Sequence, residues 1–492
     1  MQIRRTKIIA TLGPATDSHE ALSALIGAGA DVLRLNLSHG THEEQAARAI
    51  QVREVALELK KEVAILADLR GPKIRIEKFA NGSVELQSGD MFTLDASDDT
   101  GMGSQSRVGV TYKGLANDVS PGDLLLLDDG LLTMRVVEIN GNEINCKVQV
   151  GGVLGDRKGI NVQGGGLSLP GIAEHDIEDI PRAAKMGADY LAVSFPRNAD
   201  DMNEARRRLR EAGSDAHLVA KIERTEAIKN LEEIITASDA VLIARGDLGV
   251  EIGDAELPGL QKLITEKTLE QNRIVITATQ MMQSMVESPI PTRAEVLDVA
   301  NSVFDGTDAV MLSAETAVGR HPDTVVKAME RICLGAERHN DSKYHCDHLN
   351  VQFQRIDQAI AMAAMFMATN VSVQAIVALT ESGSTAQWLS RIRSSVPIFA
   401  LSPLRDSRRR MALYRGVYPI AHDFPSSNVD EVLVEGLRLL FQQGRIKTGD
   451  RIILTMGDHT GDEGGTNSLR LVQMGENGIV EHEPSQDICP TF

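Results

Sequence analysis

The sequence is poor in aromatic residues, which make up 3% of its 492 positions with a single tryptophan. A surface that stacks nucleobases needs such rings, so a single-stranded nucleic-acid platform is disfavoured. Positive charge is also in deficit. The formal net charge is −18, and neither a nucleic-acid backbone nor an anionic bilayer attracts an acidic surface. The four cysteines, Cys146, Cys333, Cys346 and Cys489, form no CxxC pair and no metal-ligand spacing. That usage fits buried thiols in a reducing compartment. No run of about 20 apolar residues exists, so no helical membrane span is expected. The opening MQIRRTKIIATLG has two arginines but no apolar stretch of signal length and no small-residue cleavage pattern. The expectation is a soluble cytoplasmic protein with neither nucleic acid nor membrane as partner.

What is present is a repeating unit. Short β-branched apolar runs recur at TKIIATLG (6–13), DVLRLNLSHG (31–40), VAILADLRG (63–71), DYLAVSFPR (189–197), HLVAKIE (217–223), AVLIARGDLG (240–249), RIVITATQM (273–281) and DAVMLSAETA (308–317). Helix-period segments such as EEQAARAIQVREVALELK (43–60) and DMNEARRRLREAG (201–213) lie between most of them. Continuously apolar strands alternating with helices mean a parallel sheet covered on both faces. Eight such units predict an α/β fold of the (β/α)8 TIM-barrel type. Between the third and fourth runs the chain fills with turn signals (NGS, SGD, PGD, DDG, NGN, GGG) and short strands such as SVELQ, DLLLLD, TMRVVEI and EINCKVQV. This stretch is expected to be a small all-β lid domain inserted into the barrel. After about Asp341, the helix IDQAIAMAAMFMATN and the strands QAIVALT, PIFALS, GVYPIAH and RIILTMG predict a third, doubly wound α/β domain. The expected division is 1–72 with 170–343 for the barrel, 73–169 for the lid and 344–492 for the C-terminal domain. HNDSKYHCDHLN (339–350) has three histidines and a cysteine at irregular spacing, which suits a surface linker better than a metal site.

Chemistry in a (β/α)8 barrel sits at the C-terminal strand ends. Those ends supply Arg34, Asn36, Ser38 and His39; Asp68 and Arg70; Lys221 and Glu223; Arg245 and Asp247; Thr279 and Gln280; Ser313 and Glu315. Any one of them alone is an ordinary satisfied polar group. Together they bring charge from several strands to one rim. Lys221 and Glu223, two apart on one strand, share a side. Glu223 with Asp247 from the next strand makes an open oxygen site for Mg²⁺ or Mn²⁺. Glycines flank Asp247 (Gly246, Gly249), and free backbone N–H groups there suit a carboxylate or phosphate. Metal, lysine and arginine around a moving group are what phosphoryl transfer needs. In ADLRGPKIRIEK (67–78), Arg70, Lys73, Arg75 and Lys78 crowd a Gly-Pro break beside Asp68, a local reversal of the acidic balance.

Taken together, MQIRRTKIIATLGPA, VLRLNLSHG, LADLRGPKIR, KIERTEA, ARGDLGVE, TATQMMQSM, PTRAEVLDVAN and DGTDAVMLSAETA closely resemble pyruvate kinase. The resemblance runs through nearly the whole chain and implies phosphoryl transfer from phosphoenolpyruvate to ADP, giving pyruvate and ATP. By motif it makes Arg34 the contact of the transferring phosphate, Lys221 the transition-state lysine, and Glu223 and Asp247 the divalent-ion ligands. Gly246, Asp247 and Thr279 match the groups that hold the carboxylate end of phosphoenolpyruvate. Thr279 also lies near the face where the enolate is protonated, with Ser313 and Glu315 as candidates for a relay. Arg75 and Lys158 match residues that reach the nucleotide. Two other readings stay open: a lyase or aldolase on the same barrel, which would ignore ADP, and a catalytically silent sugar-phosphate sensor, which would make no ATP.

Three expectations about regulation and ions follow. TESGST carries Thr380, Ser382, Gly383, Ser384 and Thr385 before a helix, a phosphate nest that GDHTGDEGGTNS (457–468) can close over. The resemblance implies a sugar-phosphate effector there. Glu381 fits a doubly phosphorylated sugar poorly, which favours monophosphates. The resemblance also implies a homotetramer, with Arg293 of PTRAEVLDVAN at a subunit interface. Finally, K⁺-requiring relatives carry glutamate in GPEIR where this chain has GPKIR, and threonines where it has Leu69 and Ile76. Asn36, Ser38, Asp68 and the Leu69 carbonyl match the K⁺ pocket. Lys73 is therefore expected to replace K⁺, with Asp68 compensating its charge.

Overall fold

The computed structural model describes residues 3–340, 353, 355–424, 428–457, 465–476 and 480–481. Eight parallel strands close a barrel: Lys7–Thr11, Val32–Asn36, Ala64–Asp68, Tyr190–Val193, His217–Ile222, Ala240–Ala244, Ile274–Ala278 and Ala309–Leu312. These are the eight apolar runs. Every residue of the first, third, sixth and seventh strands is buried. Strands covered on both faces have no solvent side to make polar, hence their predominance of Val, Ile, Leu and Ala. The expected helices follow suit. Ala199–Glu211 starts on Asn198, whose side chain accepts the Asp201 N–H, and carries Arg208 and Arg210 in its last turn, where cations complement the helix dipole.

The chain groups into two compact units. One comprises Asn36–Gln45 and Ala67–Gln280. Its inserted β region builds a six-stranded sheet and a two-stranded one around a core that includes Phe79, Phe92, Leu94, Val108, Ile144 and Val148. SVELQ, DLLLLD, TMRVVEI and EINCKVQV are strands in it, joined by Met91–Asp95, Arg107–Gly109, Gly152–Gly155 and Ile160–Val162. Those four additions are three to five residues long, too short to announce a period.

The other unit comprises Met1–Leu35, Ala46–Leu66 and Met281–Phe492. Its C-terminal sheet runs Val417–Ala421, Ile398–Ser402, Ala375–Leu379, Arg451–Gly457, Thr466–Met474, Val480–Glu481. The first four strands are parallel, as a doubly wound sheet requires, but the last two are antiparallel. The segment joining barrel and C-terminal domain, with the 341–350 part of HNDSKYHCDHLN, the 343/344 boundary and Cys346, lies outside the described residues, as does Cys489.

Ionic groups inside this unit are deeply buried. Arg391, in the last turn of the helix Ser384–Ile392, grips Asp308 through both terminal nitrogens at 2.8 Å, and both side chains are excluded from water. Glu337 accepts the backbone N–H of Arg5 at 3.0 Å and of Thr6 at 2.6 Å. Cys146 and Cys333 are free and buried, and burial pushes both thiols up to about 12, as expected of packing residues. Among the described residues no helix is long and apolar enough to cross a membrane.

Candidate active site

The ends of the third to sixth barrel strands bring four ionic side chains together. Lys221 Nζ lies 3.0 Å from Glu223 Oε1 and 3.2 Å from Asp68 Oδ1. Lys221 is 11% exposed, and the two carboxylates 1% each. The shared side expected of Lys221 and Glu223 is thus realised. Glu223 Oε2 accepts the Phe195 N–H at 2.9 Å, from a residue held at φ 56. Burial pushes the Glu223 carboxyl up to about 7; the Lys221 ammonium opposes this, while Asp247 and Asp68 add to it. Ser194, at the end of the fourth strand, accepts from Lys221 Nζ at 2.7 Å. Strand-end reading of the sequence passed over Ser194, although it is the first polar residue after YLAV.

The cationic cluster resolves into separate partners. Arg70 pairs with buried Asp179 at 2.8 Å. Lys73 does not pair with Asp68. Its Nζ lies 2.9 Å from Asp247 Oδ1 and 4.0 Å from Asp129. The correction has a geometric cause. Asp68 is the last residue of a barrel strand and faces Lys221, whereas Lys73 follows the turn at Gly71, which stands at φ 66. A side chain on Gly71 would collide with Ser194, since its Cβ would lie 2.6 Å from the serine Cβ. The turn is held by Asp176, which accepts the Gly71 N–H at 3.1 Å. Burial pulls the Lys73 ammonium down, but adjacent Asp247 outweighs it and leaves the group above the ordinary lysine value.

Asp247 does not sit on a loop. A helix, Arg245–Ile252, begins at the strand end itself and places Gly246 and Asp247 in its first turn. The two glycines of RGDLG conceal it, because glycine is the weakest helix former after proline. The Gly246 N–H donates to Thr279 Oγ1 at 2.9 Å, and that hydroxyl donates to Ala278 O at 2.7 Å. Thr279 and Gln280 stand at φ 64 and 53, a costly conformation for residues with side chains. Arg245 holds this loop by donating to the carbonyls of Ala278 at 3.1 Å and Thr279 at 2.7 Å.

The remaining expected residues fall as follows. The Asn36 side chain accepts the Ser38 N–H and meets His39, both at 3.1 Å. The Leu69 carbonyl accepts from Ser194 Oγ at 2.8 Å. Arg75 is exposed and donates to Arg157 O at 2.9 Å, while Lys158 pairs with Asp128 at 2.8 Å. In the other unit, buried Arg34 donates to Thr11 Oγ1 at 3.1 Å. Glu315, fully buried, accepts the N–H groups of Ser313 at 2.6 Å and Met282 at 3.1 Å. Both its oxygens hold backbone, which suits a support better than a proton relay.

The family described as "Pyruvate kinase, barrel domain" matches residues 3–326, and "Pyruvate kinase, alpha/beta domain" matches 358–472. The chain belongs to the pyruvate kinase family. Pyruvate kinase II of Salmonella typhimurium is 51% identical over 96% of this chain and 99% of its own length. The pyruvate kinase of Haemophilus influenzae is 48% identical over 93% and 96%. A crystal structure of a pyruvate kinase from Cryptosporidium parvum superposes with a TM-score of 0.89 at 34% identity, covering 96% of both chains. The chain is therefore a pyruvate kinase-family phosphotransferase, moving the phosphoryl group of phosphoenolpyruvate to ADP in glycolysis.

This pyruvate kinase fold uses a divalent metal, and the rim residues suit one. Glu223 and Asp247 are hard oxygen donors whose charges raise one another's cost, and Lys221 and Lys73 offset them. Among the described residues no group of three or more His, Cys, Asp or Glu side chains could hold a metal. Two carboxylates leave positions open for substrate oxygens, as a catalytic ion requires.

Proposed function

We propose that the Lys221–Glu223–Asp247 rim is the phosphoryl-transfer site. The observation that carries this is an ammonium 3.0 Å from a buried carboxylate at the end of one barrel strand. Glu223 and Asp247 hold Mg²⁺, or Mn²⁺ in its place, and the ion screens charge on phosphate oxygens. Lys221 and Arg34 stabilise the charge that develops on the transferring group. Gly246, Asp247 and Thr279 hold the substrate carboxylate, with Thr279 near the face of enolate protonation. Arg75 and Lys158, in the region 73–169 that serves as lid, contact the nucleotide. The barrel, 1–72 with 170–343, carries the chemistry in the cytoplasm. Metal uptake must drive the proton off Glu223, whose carboxyl stands at about 7. Calorimetric Mn²⁺ titrations at neutral pH in buffers of different ionisation heat should therefore report proton release. Glu223→Gln should bind the ion at least tenfold more weakly and release none. Unchanged affinity in the variant would remove Glu223 from the metal site.

The C-terminal domain, 344–492, is the regulatory one in this reading. Gly383, at φ 90, turns the chain into the helix Ser384–Ile392; its N–H donates to Thr380 Oγ1 at 3.0 Å. Thr385 and Thr466 hydroxyls meet at 2.5 Å, which ties the loop to the end of GDHTGDEGGTNS, whose 458–464 part lies outside the described residues. Ser382, Ser384 and the helix N-terminus suit one phosphate of a sugar monophosphate. A tetramer is supported by two separate apolar faces. Leu297 and Phe304, 63% and 44% exposed, lie seven apart on the helix Arg293–Asp305, whose first residue Arg293 is exposed. Phe366 and Leu471 are exposed on the C-terminal domain. Two different isologous contacts build a tetramer with two-fold symmetry. Sedimentation at assay concentration should give a tetramer. Glucose 6-phosphate, ribose 5-phosphate or AMP should lower the phosphoenolpyruvate concentration for half-maximal rate. A monomer, or preference for fructose 1,6-bisphosphate, would overturn the respective half.

A further inference from the structure

The geometry points to Ser194 as a positioning residue that sets where the Lys221 ammonium stands, an inference that rests on the role proposed for Lys221. Ser194 ends the strand Tyr190–Val193 and is 2% exposed. It receives a hydrogen bond from Lys221 Nζ at 2.7 Å and gives its own proton to Leu69 O at 2.8 Å. Asp68 Oδ1 stands 3.4 Å away.

The arrangement has a direction. An ammonium only donates, so a serine lone pair faces Lys221, and the serine proton goes to the Leu69 carbonyl, the nearer of its two acceptors. Leu69 is itself fixed, because its N–H donates to Ala192 O at 3.0 Å. The strand ladder thus holds the acceptor, the acceptor holds the serine, and the serine holds the lysine. Glu223 and Asp68 also stand within 3.2 Å of Nζ, and both are acidic groups. An anion that holds an ammonium also cancels its field. Ser194 is neutral, so it orients Nζ while leaving its charge for the phosphate. It also keeps its hold when a divalent ion draws charge from Glu223. A lysine has four rotatable bonds and needs such a fixed third contact to be placed reproducibly.

The test is a double-mutant cycle with full-length protein: Ser194→Ala, Lys221→Met and both together, assayed for ATP formation at enzyme concentrations scaled to the rate. Lys221→Met alone examines the role of the lysine; near-normal turnover in it would refute that role, whatever Ser194 does. Given the expected loss there, Ser194→Ala should lower kcat on the order of 10- to 100-fold, the scale of a misplaced group, with KM for phosphoenolpyruvate changed less than about threefold. In the Lys221→Met background it should cost nothing further, because a residue acting through Lys221 has nothing left to place. Ser194→Cys, which keeps size and a weak acceptor, should recover part of kcat and stands in if the alanine variant fails to fold. Additive losses in the cycle, or an alanine variant within twofold of normal, would overturn the inference.

Discussion

Lys221→Met is expected to lower turnover by roughly 10³- to 10⁵-fold, the range for removing one cation from a phosphoryl-transfer site. The methionine fills similar volume, so the loss is one of charge. Equilibrium binding of phosphoenolpyruvate should change far less, because the missing charge acts mainly on the transition state. The substitution has a second consequence in the metal-free protein. Asp68 and Glu223 lose the ammonium that lies 3.2 Å and 3.0 Å from them. Two buried like charges then face each other, and the Glu223 carboxyl, already at about 7, should rise further. Near neutral pH the variant should hold that proton more firmly than the parent. Rapid-quench single turnovers and direct binding separate the two effects. Near-normal single-turnover rates would make Lys221 a structural residue.

The second large effect concerns Lys73. The parent protein should be fully active with Mg²⁺ in a buffer of organic cations, and added K⁺ should change little. Its own ammonium already stands 2.9 Å from Asp247. Lys73→Glu exchanges that attraction for repulsion at the same rim, where Glu223 and Asp247 already crowd. Turnover without K⁺ should fall on the order of 100-fold, a few kcal/mol of like-charge contact at an effective dielectric near 20. K⁺ should then restore part of it, through Asn36, Ser38, Asp68 and the Leu69 carbonyl. The measurement is initial rate against K⁺ concentration for both proteins at constant ionic strength. Strong K⁺ activation of the parent would overturn the reading. So would a variant indifferent to K⁺ and no slower than the parent.

What was legible in the sequence divides along physical lines. The eight barrel strands were legible because burial on both faces forces a largely apolar run, as in AVLIA. Lys221 and Glu223 were legible because a strand returns to the same side every second residue. The partner of Lys73 was not, since four residues, a left-handed glycine among them, separate it from the strand that carries Asp68. Nor was the conformation of Thr279 and Gln280 legible, because neither residue type advertises positive φ. Ser194 left a faint signal, a small hydroxyl at a strand end. Its importance lies in contacts with residues more than twenty positions away.

The buried pair of Arg391 and Asp308 bears on how freely this protein could exchange its parts. Asp308 precedes the last barrel strand, Ala309–Leu312, and Arg391 belongs to the C-terminal domain. Deleting that domain would take the cation from Asp308 and leave its carboxylate unpaired. Glu337 would lose Arg415, its neighbour at 4.0 Å, in the same cut. Separating the barrel as a free-standing enzyme, by truncation or by recombination with another C-terminal domain, therefore has to replace these acids as well as the surface that covers them. The C-terminal domain and the barrel are tied together because each holds the other's counter-ions.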